Sequence, residues 1–146
     1  MFVSDLLKKK DDRLITAQPS TIVIEAMELL LGNKISCLPI LDSENELVGV
    51  LSDKDIFRTV YENRTNFENQ RIGELMTTDL IIGLPSDDIN YIAGLMTRNR
   101  IRHIPILEER RLIGLLSVGD IVKVQMKDME IENRYLKIYI EGTYPG

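Results

Sequence analysis

One cysteine, Cys37, and one histidine, His103, are all that this chain of 146 residues carries, and it has no tryptophan. An internal disulfide is therefore impossible, a Cys/His metal cluster cannot be assembled, and the cysteine usage suits a reducing compartment. No apolar run approaches the roughly 18 residues that a membrane span requires. The opening MFVSDLLKKKDD lacks the charged-then-apolar order of a secretory signal, so a cytoplasmic location is expected. Excess positive charge is also missing: 18 Lys and Arg against 23 Asp and Glu give a net charge of -5, a poor footprint for nucleic acid. What remains is an ordinary soluble composition, 44% apolar and 28% charged, long enough to bury a core and too short for a large separate catalytic domain.

What the chain does have is a repeat. The stretch from Leu14, LITAQPSTIVIEAMELLLGNKISCLPILDSENELVGVLSDKDIF, aligns with the stretch from Leu80, LIIGLPSDDINYIAGLMTRNRIRHIPILEERRLIGLLSVGDIV, with one residue deleted in the second turn. Pro19 matches Pro85, Pro39 matches Pro105, Gly49 matches Gly114, Ser52 matches Ser117 and Asp55 matches Asp120. The entry segments repeat too, VSDLL against IGELM. Each copy reads as a short strand stopped by proline, a helix behind a Ser or Thr cap, a hairpin turning at DSEN or EERR, and a second helix, the last one starting near Val118. A β-α-β-β-α unit of this size has a sheet face to cover, and two copies cover each other. The expected fold is α+β, two such units packed sheet to sheet about a pseudo-twofold axis with clefts between them. The expected divisions are 1–64, a linker at 65–71, 72–128, and a C-terminal extension at 129–146. In that extension Ile131, Tyr135 and Ile138 have helical spacing.

A unit in this order, with LPI or IPI in its middle strand and glycine, two apolar residues, Ser-x-x-Asp at the end of the next, resembles the CBS domain, named after cystathionine β-synthase. RIRHIPIL, LIGLLSVGDIVK and EIENRYLKIYIEG look like the stand-alone two-domain proteins of bacteria. The resemblance implies adenosine-bearing ligands (AMP, ADP, ATP, NAD or S-adenosylmethionine) in the clefts between the copies. It also implies a homodimeric disc, a regulatory and energy-sensing role exerted on an unidentified effector protein, and no catalysis by the pair itself. No cofactor is required, and neither nucleic acid nor membrane is among the partners.

The motif chemistry suits such a ligand. Ser117 falls where a strand gives way to a helix, so its hydroxyl and the N–H groups of the first helical turn can face a phosphate. Asp120 lies one turn on; a carboxylate repels phosphate but accepts well from ribose hydroxyls, the role the resemblance assigns it. The same Ser-x-x-Asp is also a capping box, and the two readings are compatible. A close approach of ligand to backbone would explain Gly114. Beside Pro105, Arg102 and His103 give the second copy a guanidinium and an imidazole where the first has Ser36 and Cys37. The family's adenine-contacting region falls on Thr78, Leu80, Ile82 and Pro85.

The weaker, first site comprises Thr16, Gln18, Pro19, Gly49, Ser52, Lys54 and Asp55. There Asp53 would repel a phosphate unless Lys54 offset it. A structural module with degenerate sites is the alternative reading. An enzyme would need partners for Ser117 and Cys37 that the sequence does not display.

Overall fold

The computed structural model describes residues 1–10 and 13–127; the expected C-terminal helix falls outside the described residues. The elements run α1 (Val3–Lys9), α2 (Val23–Asn33), β1 (Cys37–Leu41), β2 (Leu47–Ser52) and α3 (Asp53–Glu62), then a 3-10 turn (Ile72–Glu74). The second copy follows with α4 (Ile89–Asn99), β3 (His103–Glu108), β4 (Arg111–Ser117) and a helix over 118–127, here α5. β1 pairs antiparallel with β2 and β3 with β4, in matched register: Cys37 faces Ser52 and His103 faces Ser117. Each hairpin shifts register at the same place, after Ile40 and after Ile106. The first turn is held by the Asp42 side chain, which accepts from the Glu44 and Glu46 N–H groups; the shorter second turn places Glu109 and Arg110 at positive φ.

The strand expected at the start of each copy shrinks to one residue, a parallel bridge of Ala17 to Ile40 and of Gly83 to Ile106. The prolines of the partner strand explain this. Ala17 N–H donates to Pro39 O and Leu41 N–H donates to Ala17 O, but the next rung would need an N–H from Pro39, which has none. Pro105 truncates the second copy identically, between Gly83 and Leu107.

The expected Ser or Thr cap on the first helix is also replaced. α2 begins after Ile22 with no side-chain cap, and its leading N–H groups donate instead to the carbonyls of Gln70 and Glu68. α4 uses the Asp88 side chain, 2.8 Å from Asn90 N, and the carbonyl of Met1. The polar connection therefore packs on the first copy's helix as a cap.

These contacts reveal an exchange between the copies. Val3 and Ser4 donate to Asp87 O and Pro85 O, while their counterparts Ile72 and Gly73 donate to Thr21 O and Pro19 O. Each entry segment docks on the other copy. The core follows the same rule: Val3 and Leu6 are buried with Ile89, Ile92, Ile104, Ile106 and Leu116. Ile72 is buried with Val23, Ala26, Leu38, Ile40 and Leu51. Removing either entry segment would expose apolar surface in the opposite copy, so neither copy is complete alone.

Candidate functional site

Both Ser-x-x-Asp motifs form the capping box. Asp120 N donates to Ser117 Oγ at 3.1 Å and Ser117 N donates back to Asp120 Oδ2 at 2.8 Å; for Asp55 and Ser52 the two distances are 3.2 and 2.9 Å. What surrounds them differs. The Asp55 carboxylate is 5% exposed and is also approached by the Ser52 and Thr77 hydroxyls and by Arg58. Thr77 exchanges two backbone hydrogen bonds with Val50, closing the chain over this end of β2.

At the second motif there is a cavity of about 890 Å³, within the usual size of small-molecule pockets. Its walls bring together Arg102, His103, Gly114, Ser117 and Asp120 from the second copy with residues 33–37 from the first. Of the other residues assigned to this site from the sequence, Pro105 is buried in β3, and Thr78, Leu80, Ile82 and Pro85 lie away from the wall. Their place is taken by Leu14 and Ile15, the opening segment of the first copy, together with Ile35. The exchange of entry segments is the reason: what precedes one copy faces the other copy's motif.

The first-site residues do not converge. Thr16 and Gln18 border a separate depression of about 490 Å³ with Thr21, Glu25 and Glu28, away from Ser52, Lys54 and Asp55. Lys54 is exposed, and Pro19 lies under Gly73.

Both motif glycines have an internal cause. A Cβ on Gly114 would lie 2.6 Å from Leu7 Cδ2, and one on Gly49 would lie 2.5 Å from Met76 Sδ. Leu7 and Met76 are counterparts in the two entry segments, so the repeated glycine admits the exchanged segment and needs no ligand to explain it.

The electrostatics of the cavity centre on Asp120. Burial raises its pKa, but hydrogen bonds from Lys10 and Ser117 outweigh burial and hold the carboxyl below its ordinary value. Lys10 Nζ donates to Asp120 Oδ2 at 2.8 Å and to Leu115 O at 2.6 Å. His103 is held below the ordinary histidine value by burial and then by Arg102 and Lys10, so it is a neutral imidazole near pH 7, with Ser36 Oγ 3.5 Å from its Nε2. Burial, reinforced by Asp55 and Asp53, pushes Cys37 up to about 12, which leaves an unreactive thiol. Arg102 reaches across to Asp53 at 2.7 Å, so the charge expected to repel a phosphate is paired with the charge expected to bind one. Lys10, Arg13, Lys34 and Lys123 complete the basic wall and were not assigned from the sequence. The legible signal was length: six residues separate Leu7 from Leu14, whereas three separate Met76 from Leu80.

Among the described residues no group of His, Cys, Asp and Glu could hold a metal ion, and no helix is long and apolar enough to cross a membrane.

The fold and the twinned motifs are those of a paired CBS module, and the CBS domain family model matches residues 3–62 and 72–127. The chain belongs to the CBS domain family. The mitochondrial CBS domain-containing protein CBSX3 of Arabidopsis thaliana is 27% identical over 97% of this chain and 73% of its own. A protein with CBS domains from Burkholderia ambifaria superposes with a TM-score of 0.82 at 30% identity, covering 88% of this chain and 96% of its own. The CBS pair of MJ0100, solved with 5'-methylthioadenosine and S-adenosyl-L-methionine, is 26% identical with a TM-score of 0.78, covering 88% and 98%. CBSX2, solved with AMP, is 28% identical with a TM-score of 0.74, covering 86% and 96%. Two relatives named as enzymes are far longer chains, of which this one spans 23%. Paired CBS modules are regulatory ligand-binding units.

Proposed function

We propose that this chain is a regulatory sensor of adenosine nucleotides, with one working cleft at Ser117 to Asp120 and a first motif that serves as structure alone. The observation that carries this reading is the single cavity in which a helix start, Asp120, Arg102 and the apolar residues Leu14, Ile15 and Ile35 meet. In the bound state the apolar residues would flank the base, Asp120 would accept from the ribose hydroxyls, and the start of α5 with Arg102 would receive phosphate. AMP bound to CBSX2 and S-adenosylmethionine bound to the MJ0100 pair support an adenosine ligand. Because the walls come from both copies, a ligand there favours one arrangement of the copies over others, and an effector protein can read that shift.

A homodimer fits the surface. Phe57 and Tyr61 on α3 are 75% and 67% exposed, and their counterparts on α5, Val122 and Met126, are 41% and 57% exposed. Two matched apolar pairs one turn apart are what a second copy would cover.

The test is thermal melting with AMP, ADP, ATP, NAD and S-adenosylmethionine, in the wild type and in Asp120→Ala and Asp55→Ala. A nucleotide at 100 times its dissociation constant adds about 2.7 kcal/mol, a shift of several degrees. The shift should vanish in Asp120→Ala and survive in Asp55→Ala. If no nucleotide moves the wild type, the module is structural.

A further inference from the structure

We infer that Asp53 of the first copy regulates the second copy's cleft: it competes with the ligand's phosphate for the Arg102 guanidinium, so a phosphate binds by taking Arg102 from the first copy. The inference rests on the nucleotide reading above. It adds a residue that sets affinity and a tie between the copies that binding breaks.

The geometry carries the argument. Arg102 stands on the cavity wall, yet its Nη2 donates at 2.7 Å to Oδ1 of Asp53, a residue that is not on that wall. A phosphate presented to Arg102 would set a second anion beside Asp53, and the two would repel each other. The Arg102 and Asp53 side chains are 60% and 51% exposed, so their pair is weak and readily exchanged. Asp53 is not stranded by the exchange. Its Oδ1 also accepts from Lys54 N–H at 2.8 Å, and as the first residue of α3 it sits where the helix dipole favours negative charge. Arg102 gains by it, because a phosphate can accept two parallel hydrogen bonds where Asp53 accepts one.

The sequence confines this device to one cleft. Val118 stands at the place of Asp53 in the second copy and Ser36 at the place of Arg102 in the first, so the twofold-related pair carries no charge. Ser52 and Asp55 keep their capping role, while Asp53, between them, acts across the module on the other motif. Asp53 opens α3 of one copy and Arg102 leads into β3 of the other. Exchange therefore releases the start of α3, the helix whose far end presents Phe57 and Tyr61 to solvent, and that release is a change a partner can read.

The test is calorimetric titration of AMP and adenosine into the full chain at constant ionic strength, for wild type, Asp53→Asn, Arg102→Gln and the double variant. The other charges around the cleft, Lys10 and the two aspartates that follow it included, are common to all four proteins. Asp53→Asn should bind AMP about two- to fivefold more tightly than wild type and adenosine no differently. Arg102→Gln should weaken AMP, and adding Asp53→Asn to it should change nothing further. A carboxylate that acts only by long-range repulsion would, when neutralised, strengthen AMP equally with or without Arg102. One that orients Arg102 for the phosphate would, when neutralised, weaken AMP. Either result, or an unchanged AMP affinity in Asp53→Asn, overturns the inference and leaves the nucleotide reading standing. Failure of AMP to bind both wild type and Asp53→Asn removes the two together. Should Asp53→Asn not fold, Asp53→Ser, a second neutral residue at this exposed position, takes its place with the same expectations.

Discussion

Ser52 to Asp55 and Ser117 to Asp120 are the same capping box in two settings. In the first, Thr77 hydrogen-bonds the backbone of Val50 and brings its hydroxyl to the buried carboxylate. In the second, the counterpart of Val50 is Leu115, whose carbonyl receives the Lys10 ammonium, and a cavity opens beside it. The difference lies in three extra residues of the opposite copy's entry segment. A repeated motif thus keeps its local role in both copies, while the space beside it is decided by what the other copy lays across it.

The sharpest way to break this contrast is to remove each carboxylate in turn. Asp55→Ala loses the cap and takes a buried acceptor from the Ser52 N–H and hydroxyl, while the exposed Thr77 and Arg58 turn to water, and should cost about 2 kcal/mol. Asp120→Ala loses a cap but leaves Lys10 its Leu115 carbonyl, so about 1 kcal/mol is expected. Urea unfolding of the two variants measures both. Equal losses would show that the first carboxylate is no more structural than the second.

The glycines sharpen the same comparison at smaller scale. A Cβ at Gly49 meets Met76 and also the Thr77 carbonyl at 3.0 Å, which is backbone and cannot swing aside. At Gly114 the three nearest atoms all belong to the Leu7 side chain, which is able to shift. Gly49→Ala should therefore cost about 1 to 3 kcal/mol and Gly114→Ala less, as read from urea midpoints. The reverse order would mean that the second entry segment is the more tightly seated.

The smallest effect is one of pH. His103 is kept neutral by burial first and then by the Arg102 and Lys10 charges. As pH falls through the ordinary histidine value of about 6.5, the unfolded chain takes up a proton that the folded chain refuses. Stability should fall from there until pH reaches the lower folded pKa, and His103→Gln should flatten that stretch of the urea-midpoint profile. Cys37, at the matching position in the first copy, adds no slope in this range, since its thiol stays protonated far above it.

Much of this was legible in the chain. The paired prolines, glycines and Ser-x-x-Asp motifs told of two β-α-β-β-α units. The guanidinium of Arg102 and the imidazole of His103 distinguished the copies, and both side chains stand on the cavity wall. Thr78, Leu80, Ile82 and Pro85, expected on the base side, do not line the cavity, whereas Leu14 and Ile15 do; periodicity says that Val3 or Ile72 is buried without saying which copy buries it. Nothing local marks an exchanged segment. The initial strands were overread for a related reason, since the rung they lack is withheld by Pro39 and Pro105, which lie in another element.

The central claim is that one of two matched motifs is a site and the other a strut, and the stoichiometry of AMP binding tests it most directly. Equilibrium titration should give one AMP per chain in the wild type, none in Asp120→Ala, and one in those Asp55→Ala molecules that remain folded. Two AMP per chain, or one that persists in Asp120→Ala, would contradict it.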